Sequence, residues 1–600
     1  METEDITVHV QDQTDFATSQ AFASDLVQEM TLPEKAGQLA QVEKNSITLD
    51  EVTEYAIGSV LSGGGGNPNP NTPENWACMV GGYVEAGRRS RLGIPVLYGV
   101  DAVHGHNNVV GATIFPHNIG LGSAGDTDLT ERVFRAVALE VAATGIRWSF
   151  APAVSVARDP RWGRTYESFG DDPALVAELA AAALRGLHWD RLDNVGTVLA
   201  CLKHFVGDGG AAWGSVERID WNDWWNAWPK EWQIDQGDTR IDEADLRALH
   251  LHPYEVGVAA GALSVMVSLG SWNGKKIHRH SELITGVLKG ELGFEGFVVS
   301  DWLGISQLDA DPYRCVVDAI GAGVDMAMIP IDYRLFIANV IAAVEVGDLD
   351  LSRVDDAVRR ILTVKHALGL FSVDTVPAPP IDIVGADEHR TLAREAAAKS
   401  AVLLTDPNGV LPMRPGSVLV AGAGADDVGL QCGGWTIEWQ GAVGPITQGT
   451  TILAGLEQSD AELNLVYRPD GDFEPGLRAP TGIAVIAEPP YAEGFGDDEN
   501  LAIPKSDVDL IETLRQHVDS LVLVILSGRP LLLEPVIDLC DAVVAAWLPG
   551  SEASGIADVL TGAKPFSGRL RRRWPLSAEQ AADPDGDWHP QWDYGHGVVS

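Results

Sequence analysis

Between residues 90 and 370, short apolar runs end abruptly in polar clusters. Ile94–Val100 runs into Asp101, and Ile146–Val156 into Arg158-Asp159-Pro160-Arg161-Trp162-Gly163-Arg164. Val195–Leu202 meets Lys203-His204, and Leu263–Ser268 leads to Ser271-Trp272-Asn273. Phe297–Val299 meets Asp301-Trp302, and Val324–Met328 stops before Pro330. A run that is apolar on both faces suits the middle of a parallel sheet. Helical stretches separate the runs. One spans Asp172–Leu187, with Asp172 as N-cap and Pro173 in the first turn, and another spans Ser352–Leu368. This rhythm predicts a (β/α) barrel with polar groups gathered at one rim.

The helical periodicity stops at Gly369, and Pro377, Pro379 and Pro380 stiffen the segment that follows. A second α/β pattern then begins. Its strand candidates are Val402–Leu404, Val418–Ala421, Leu463–Tyr467, Ile483–Ile486, Leu521–Ile525 and Ala542–Ala546. The pattern divides the chain into a barrel (1–371), a Pro-rich linker (372–388), a smaller α/β sandwich (389–566) and a C-terminal extension (567–600). Gly422-Ala423-Gly424 follows a strand but lacks the third glycine of a dinucleotide fingerprint.

Composition narrows the function classes. Six hundred residues exceed one hydrophobic core. A formal charge of −43 argues against nucleic acid as a partner. Only 11 of the 42 basic residues are lysine, and such an acid-rich, lysine-poor surface suits a salty habitat. The five cysteines are scattered and show no CxxC pair, so neither a zinc site nor a disulfide framework is implied. No apolar run is long enough to span a bilayer. Met1–Asp15 is polar and acidic and shows no signal-peptide pattern. A periplasmic or secreted location would require that a leader had been removed.

Asp301, at the end of a buried strand and beside an indole, is a candidate nucleophile or base next to a sugar platform; it could also simply cap a helix. The repeated pattern favours chemistry. Lys203-His204-Phe205-Val206-Gly207-Asp208-Gly209-Gly210 is a specific string. So are Gly99–Gly105, Asp159–Arg164, Ser300-Asp301-Trp302, Cys432–Gly441, Pro489–Asp497 and Ala545–Glu552. Together, in this order, they resemble glycoside hydrolase family 3, in particular its two-domain exo-β-glucanases and β-glucosidases.

The resemblance implies a (β/α)8 TIM-like barrel followed by an α/β sandwich, with the active site at the domain interface. It implies a retaining, exo-acting β-glucosidase or exo-β-1,3(1,4)-glucanase that needs no metal or organic cofactor and acts on β-glucan oligosaccharides or β-glucosides. Asp301 matches the nucleophile and Glu493 the acid/base, with Glu488, Asp497, Asp498 and Glu499 as rival acids. Asp101, Arg164, Lys203 and His204 match the groups that hold the terminal glucose. Trp302 and Trp439 match the aromatic pair that clamps the next sugar.

Plain structural alternatives exist for several of these residues. Asp101 could cap a helix, Arg161 and Arg164 could pair with Asp159 and Glu167, and His204 and Trp435 could be core residues. For Lys203, at the end of an apolar strand, a buried partner is required.

Two features depart from the family. Residues 213–232 hold six tryptophans, Trp213, Trp221, Trp224, Trp225, Trp228 and Trp232, and look like an insertion at the active-site rim. They form either an extra aromatic subsite or a tryptophan-rich core or oligomer contact. The insertion also blurs the placing of Glu217, which otherwise matches a position near the nucleophile. Leu269 stands where relatives usually place an aromatic residue, so Asp301 must find support elsewhere or the subsite is roomier. Competing functions are a β-xylosidase, a β-N-acetylhexosaminidase and a non-catalytic carbohydrate-binding protein. The second lacks its Asp-x-His signature here, and the third is disfavoured by the presence of both Asp301 and Glu493.

Overall fold

The computed structural model describes residues 13–189, 191–221, 232–372 and 378–599. Eight short strands form a closed parallel ring. They are β1 (Ala40–Glu43), β2 (Ser59–Ser62), β3 (Leu97–Val100), β4 (Trp148–Ser149), β5 (Leu202–Phe205), β6 (Ser264–Val267), β7 (Phe297–Val299) and β8 (Ala327–Met328). Ladders join β8-β1-β2-β3-β4 and β5-β6-β7. Parallel bridges Trp148–Leu199 and Val299–Met326 close the two gaps. The helix predicted from Asp172 forms as Pro173–His188, with the Asp172 carboxylate accepting from the Ala174 N–H. The later one forms as Leu351–Ala367.

The strands show why double-sided apolar runs mark a barrel. Phe297 and Val299 face inward, in a buried cluster with Leu61, Leu97, Trp148, Phe150 and Met328. Val298 faces outward and packs with the surrounding helices. The ring interior is therefore a packed core, and its uppermost side chains form the floor of whatever lies above. β1 and β2 escaped the apolar-run pattern: their sequences, Ala-Gln-Val-Glu and Ser-Val-Leu-Ser, carry polar residues that are buried in the barrel. Gln41 Nε2 donates to Ser59 Oγ at 2.9 Å, and Ser59 Oγ donates to the Leu97 carbonyl, so the Gln41 amide N–H and the Ser59 hydroxyl are paired inside the ring.

The second sheet has six strands: β9 (Val402–Thr405), β10 (Gly416–Ala421), β11 (Leu463–Arg468), β12 (Ala479–Ala487), β13 (Val518–Leu526) and β14 (Ala542–Trp547). Their spatial order is β9-β14-β13-β12-β10-β11, parallel except for the β9–β14 pair. Buried clusters on both faces of the sheet make it the middle layer of a sandwich.

The C-terminal segment straps the two bodies together. The Arg569 N–H donates to Ser123 O and Arg572 Nη2 to Ala157 O in the barrel, while the Val598 N–H donates to Leu403 O in the sandwich. Among the described residues no helix is long and apolar enough to cross a membrane.

Candidate active site between the two domains

A cavity of about 250 Å³ opens at the C-terminal rim of the barrel, where the sandwich covers it. Leu61, Phe150, Met266 and Met328, the top of the barrel core, line its floor. Its polar wall is Asp101, Arg164, Lys203, His204, Asp301 and Glu493, with Trp302, Trp435 and Trp439 as aromatic walls. The barrel supplies Asp101 just beyond β3, Lys203 and His204 from β5, and Asp301 beyond β7. The sandwich supplies Trp435, Trp439 and Glu493 from loops that follow β10 and β12. All come from the C-terminal ends of parallel strands, where α/β folds gather their ligand-binding groups. All eight site residues singled out in the sequence line this one cavity.

The cations and carboxylates interlock. Lys203 Nζ lies 2.8 Å from Asp101 Oδ1, the buried partner that an ammonium at a strand end requires. Arg164 makes a two-pronged contact with Glu167, at 2.8 and 2.9 Å, while its Nη1 lies 3.4 Å from Glu493 Oε1. The ion pair expected on plain structural grounds therefore exists, and the same guanidinium also faces the cavity. His204 is placed in a similar way: Nδ1 lies 2.7 Å from Asp208 Oδ2, and Nε2 is 3.4 Å from Arg164 Nη2 and 3.5 Å from Asp301 Oδ2. Asp208 also accepts from Ser268 Oγ.

Asp301 does not depend on residue 269 for support. The Trp302 N–H donates to its Oδ1 at 2.6 Å, and the Asp301 N–H donates to His278 Nε2 at 3.2 Å. Leu269 instead lines the cavity. Burial raises the Asp301 carboxyl above its ordinary range, opposed by His204, Arg164 and Lys203.

Burial pushes Glu493 well above the carboxylate range. Asp235, Asp301 and Glu167 add to this, against the pull of Arg164. Burial raises both carboxyls, but Arg164 and Lys203 oppose the rise at Asp301, whereas Glu493 faces one cation and three acids and is raised further. Glu493 is therefore the one that holds its proton more firmly.

The rival acids are engaged elsewhere. Glu488 accepts from Arg529 Nε at 3.0 Å, the Gly528 N–H at 2.9 Å and Tyr491 OH at 3.0 Å. Asp497 is buried and accepts from backbone amides. Asp498 accepts from the Asn500 N–H, and Glu499 is exposed. Glu217 is also exposed and lies outside the cavity lining.

Sequence reasoning missed the Gly63-Gly64 pair, Gln236 and Gln307, which line the cavity. A Cβ on Gly63 would sit 3.3 Å from the Trp302 ring, and one on Gly64 would lie 2.5 Å from Trp439 Cβ. The glycine run after β2 therefore lets both indoles close on the rim, and four consecutive glycines in the sequence were the available signal. Leu303, Trp435 and Glu493, all cavity residues, adopt the left-handed backbone at φ 53, 62 and 55°. Such conformations cost roughly 1–3 kcal/mol each for non-glycine residues and gather at functional sites.

The tryptophan-rich segment divides. Trp213 stacks under Arg161, whose guanidinium carbon is 4.5 Å from the ring centre, and belongs to a small core with Trp162 and Ile234. Trp232 is buried against the Glu493 loop, and Trp221 is half exposed, with Nε1 donating to Ser306 O. Trp224, Trp225 and Trp228 lie outside the described residues.

Two family models cover most of the chain: the glycosyl hydrolase family 3 N-terminal domain over residues 31–224 and 229–364, and the family 3 C-terminal domain over 401–599. The chain belongs to glycosyl hydrolase family 3. It is 32% identical to the lysosomal beta glucosidase of Dictyostelium discoideum over 92% of this chain and 72% of that protein. It is 32% identical to the periplasmic beta-glucosidase of Salmonella typhimurium over 93% and 74% of the two chains. The crystal structure of exo-1,3/1,4-beta-glucanase ExoP from a Pseudoalteromonas species superposes with a TM-score of 0.90 at 39% identity, covering 99% of this chain and 75% of that one. The barrel-plus-sandwich fold and the glycoside hydrolase class of this chain follow.

Proposed function

We propose that this family 3 enzyme removes terminal glucose from β-glucosides and β-1,3- and β-1,4-glucan oligosaccharides by double displacement at the interdomain cavity. The observation that carries this reading is the pairing in one cavity of two partly buried carboxyls, one from each domain, of which Glu493 has the more acidic surroundings. Asp301 attacks the anomeric carbon as the glycosidic C–O bond breaks, and Glu493 gives its proton to the departing oxygen. A water then enters. Glu493, now a carboxylate, takes its proton, the water oxygen bonds to the anomeric carbon, and the Asp301 ester bond breaks. Two inversions leave the product in its original configuration. A cavity of about 250 Å³ walled by polar groups and indoles suits recognition of a terminal sugar.

Asp101, Arg164, Lys203 and His204 serve the hydroxyls of the terminal sugar, and charged groups make the stronger hydrogen bonds. Trp302 and Trp439 take the apolar face of the following sugar. The similarity to a beta glucosidase and an exo-1,3/1,4-beta-glucanase supports glucose as the sugar and both linkages as substrates.

The reading is tested by hydrolysis of aryl β-glucoside, β-xyloside and β-N-acetylglucosaminide by wild type and Asp301→Ala. Glucoside-selective turnover that falls to background in the variant is expected. Preference for the acetylated sugar or the xyloside would overturn the substrate class. Retained turnover in Asp301→Ala would remove Asp301 as nucleophile.

A further inference from the structure

Glu493 belongs to the sandwich, yet it must act on a sugar bound in the barrel. Something has to hold its loop in register across the domain boundary. Four residues further on, Asp497 is 4% exposed and points away from the cavity. Its Oδ1 accepts the Gly163 N–H at 2.9 Å. Its Oδ2 accepts three successive backbone N–H groups, from Gln233 and Ile234 at 2.9 Å and Asp235 at 3.1 Å. All four donors are barrel residues. Consecutive amides converging on one oxygen form an anion-binding nest, and here the anion is a side chain of the acid/base loop.

Close backbone contacts surround this carboxylate. The Asp498 N–H donates to Arg161 O at 3.0 Å. A Cβ on Gly163 would fall 2.0 Å from the Glu493 carbonyl oxygen, and one on Gly494 would fall 2.2 Å from the Trp232 ring. Phe495 meets Trp232 on one side, at 5.7 Å between ring centres, and Trp439 on the other, at 5.5 Å. The end of the tryptophan-rich insertion is therefore the seat of the loop that carries Glu493.

We infer that Asp497 is a positioning residue that pins the Glu493 loop to Gly163 and to residues 233–235, which directly follow the insertion, and so fixes where the proton donor stands. The inference rests on the proposed role of Glu493. A well-placed general acid contributes about 10²–10⁴ in rate, and a displacement of about 1 Å costs on the order of 100-fold. Loss of the nest should therefore resemble a milder loss of Glu493 itself.

The experiment compares Asp497→Ala, Asp497→Asn and Glu493→Ala on 2,4-dinitrophenyl β-glucoside and on laminaribiose, with and without sodium azide. Asp497→Asn keeps the side-chain size and one acceptor oxygen, so it covers the case in which the alanine variant fails to fold. The expected result is a loss on laminaribiose at least about tenfold greater than on the dinitrophenyl glucoside, because only the poor leaving group needs protonation. Azide should speed dinitrophenyl glucoside turnover in the Asp497 variants and yield β-glucosyl azide, since a displaced Glu493 no longer activates water. Equal losses on both substrates in Asp497→Asn, beside an unequal loss in Glu493→Ala, would overturn the positioning role alone. Equal losses in Glu493→Ala would remove Glu493 as the acid, and the role of Asp497 with it.

Discussion

Arg164 of the barrel lies 3.4 Å from Glu493 of the sandwich, while its other edge is held by Glu167. The guanidinium thus has a fixed partner and a working one. Glu167 neutralises much of its charge and keeps it from simply ionising Glu493.

Glu167→Gln should move the basic limb of the kcat/KM profile to lower pH. Glu167 raises the Glu493 carboxyl directly and also restrains Arg164, which lowers it. Without that negative charge, Glu493 loses its proton at lower pH, and protonated Glu493 is the form that the proposed mechanism requires for glycosylation. The acidic limb, set by ionisation of Asp301, should move less. A pH profile on an unactivated glucoside checks both limbs, and an unmoved basic limb contradicts the account.

Glu493→Gln should be more stable than wild type at neutral pH. A buried carboxyl whose folded pKa is raised binds more protons folded than unfolded, so its contribution to stability declines as pH climbs from the unfolded value, near 4.3, toward the folded one. Glutamine removes that cost while preserving shape. The gain should be about 0.5–2 kcal/mol at pH 7, the scale usual for relaxing a functional position. It should vanish below about pH 4, where both forms of wild type are protonated. Thermal unfolding of the two proteins at pH 4 and pH 7 tests this sign.

Gly64→Ala should weaken the binding of longer substrates. Its Cβ would sit 2.5 Å from Trp439 Cβ and 2.7 Å from Trp439 Cα, so that indole must retreat from the rim. Loss of one aromatic face, at about 0.5–1.5 kcal/mol, corresponds to a KM several-fold higher for oligosaccharides. Inhibition by free glucose, which in the proposed reading binds against Asp101 and Lys203, should change little. Equal weakening of both would place Trp439 outside the second-sugar site.

Melting temperature should rise with added NaCl. A formal charge of −43 repels itself across the surface. Salt shortens the screening length from about 10 Å at 0.1 M to about 3 Å at 1 M. A flat Tm between those concentrations would show that the acidic excess carries no adaptation to salt.

Much was decided by the sequence itself. Alternating apolar runs and amphipathic helices specify a barrel and a second parallel-rich sheet, because parallel strands covered on both faces must be apolar throughout. All six predicted strands of the sandwich fall within observed ones. Asp301 and Lys203 stood out because a charged group at the end of such a strand has no place in the core, while Asp101 and His204 stood out through the family motifs that contain them.

Tertiary structure decided what distant segments do to one another. β1 and β2 carry polar residues, yet they join the ring through parallel backbone ladders, with Gln41 Nε2 and Ser59 Oγ hydrogen-bonded inside it. Glu493 and its rivals occupy one acidic loop and look alike in sequence. The fold separates them by giving Glu488 an arginine, Asp497 a nest of amides, and Glu493 the cavity. Arg164 reads as an i,i+3 ion pair with Glu167, and nothing local reveals that its free edge meets a residue 329 positions away. A carboxyl's protonation depends on burial and on charges brought near it from other segments, and only the folded chain sets those.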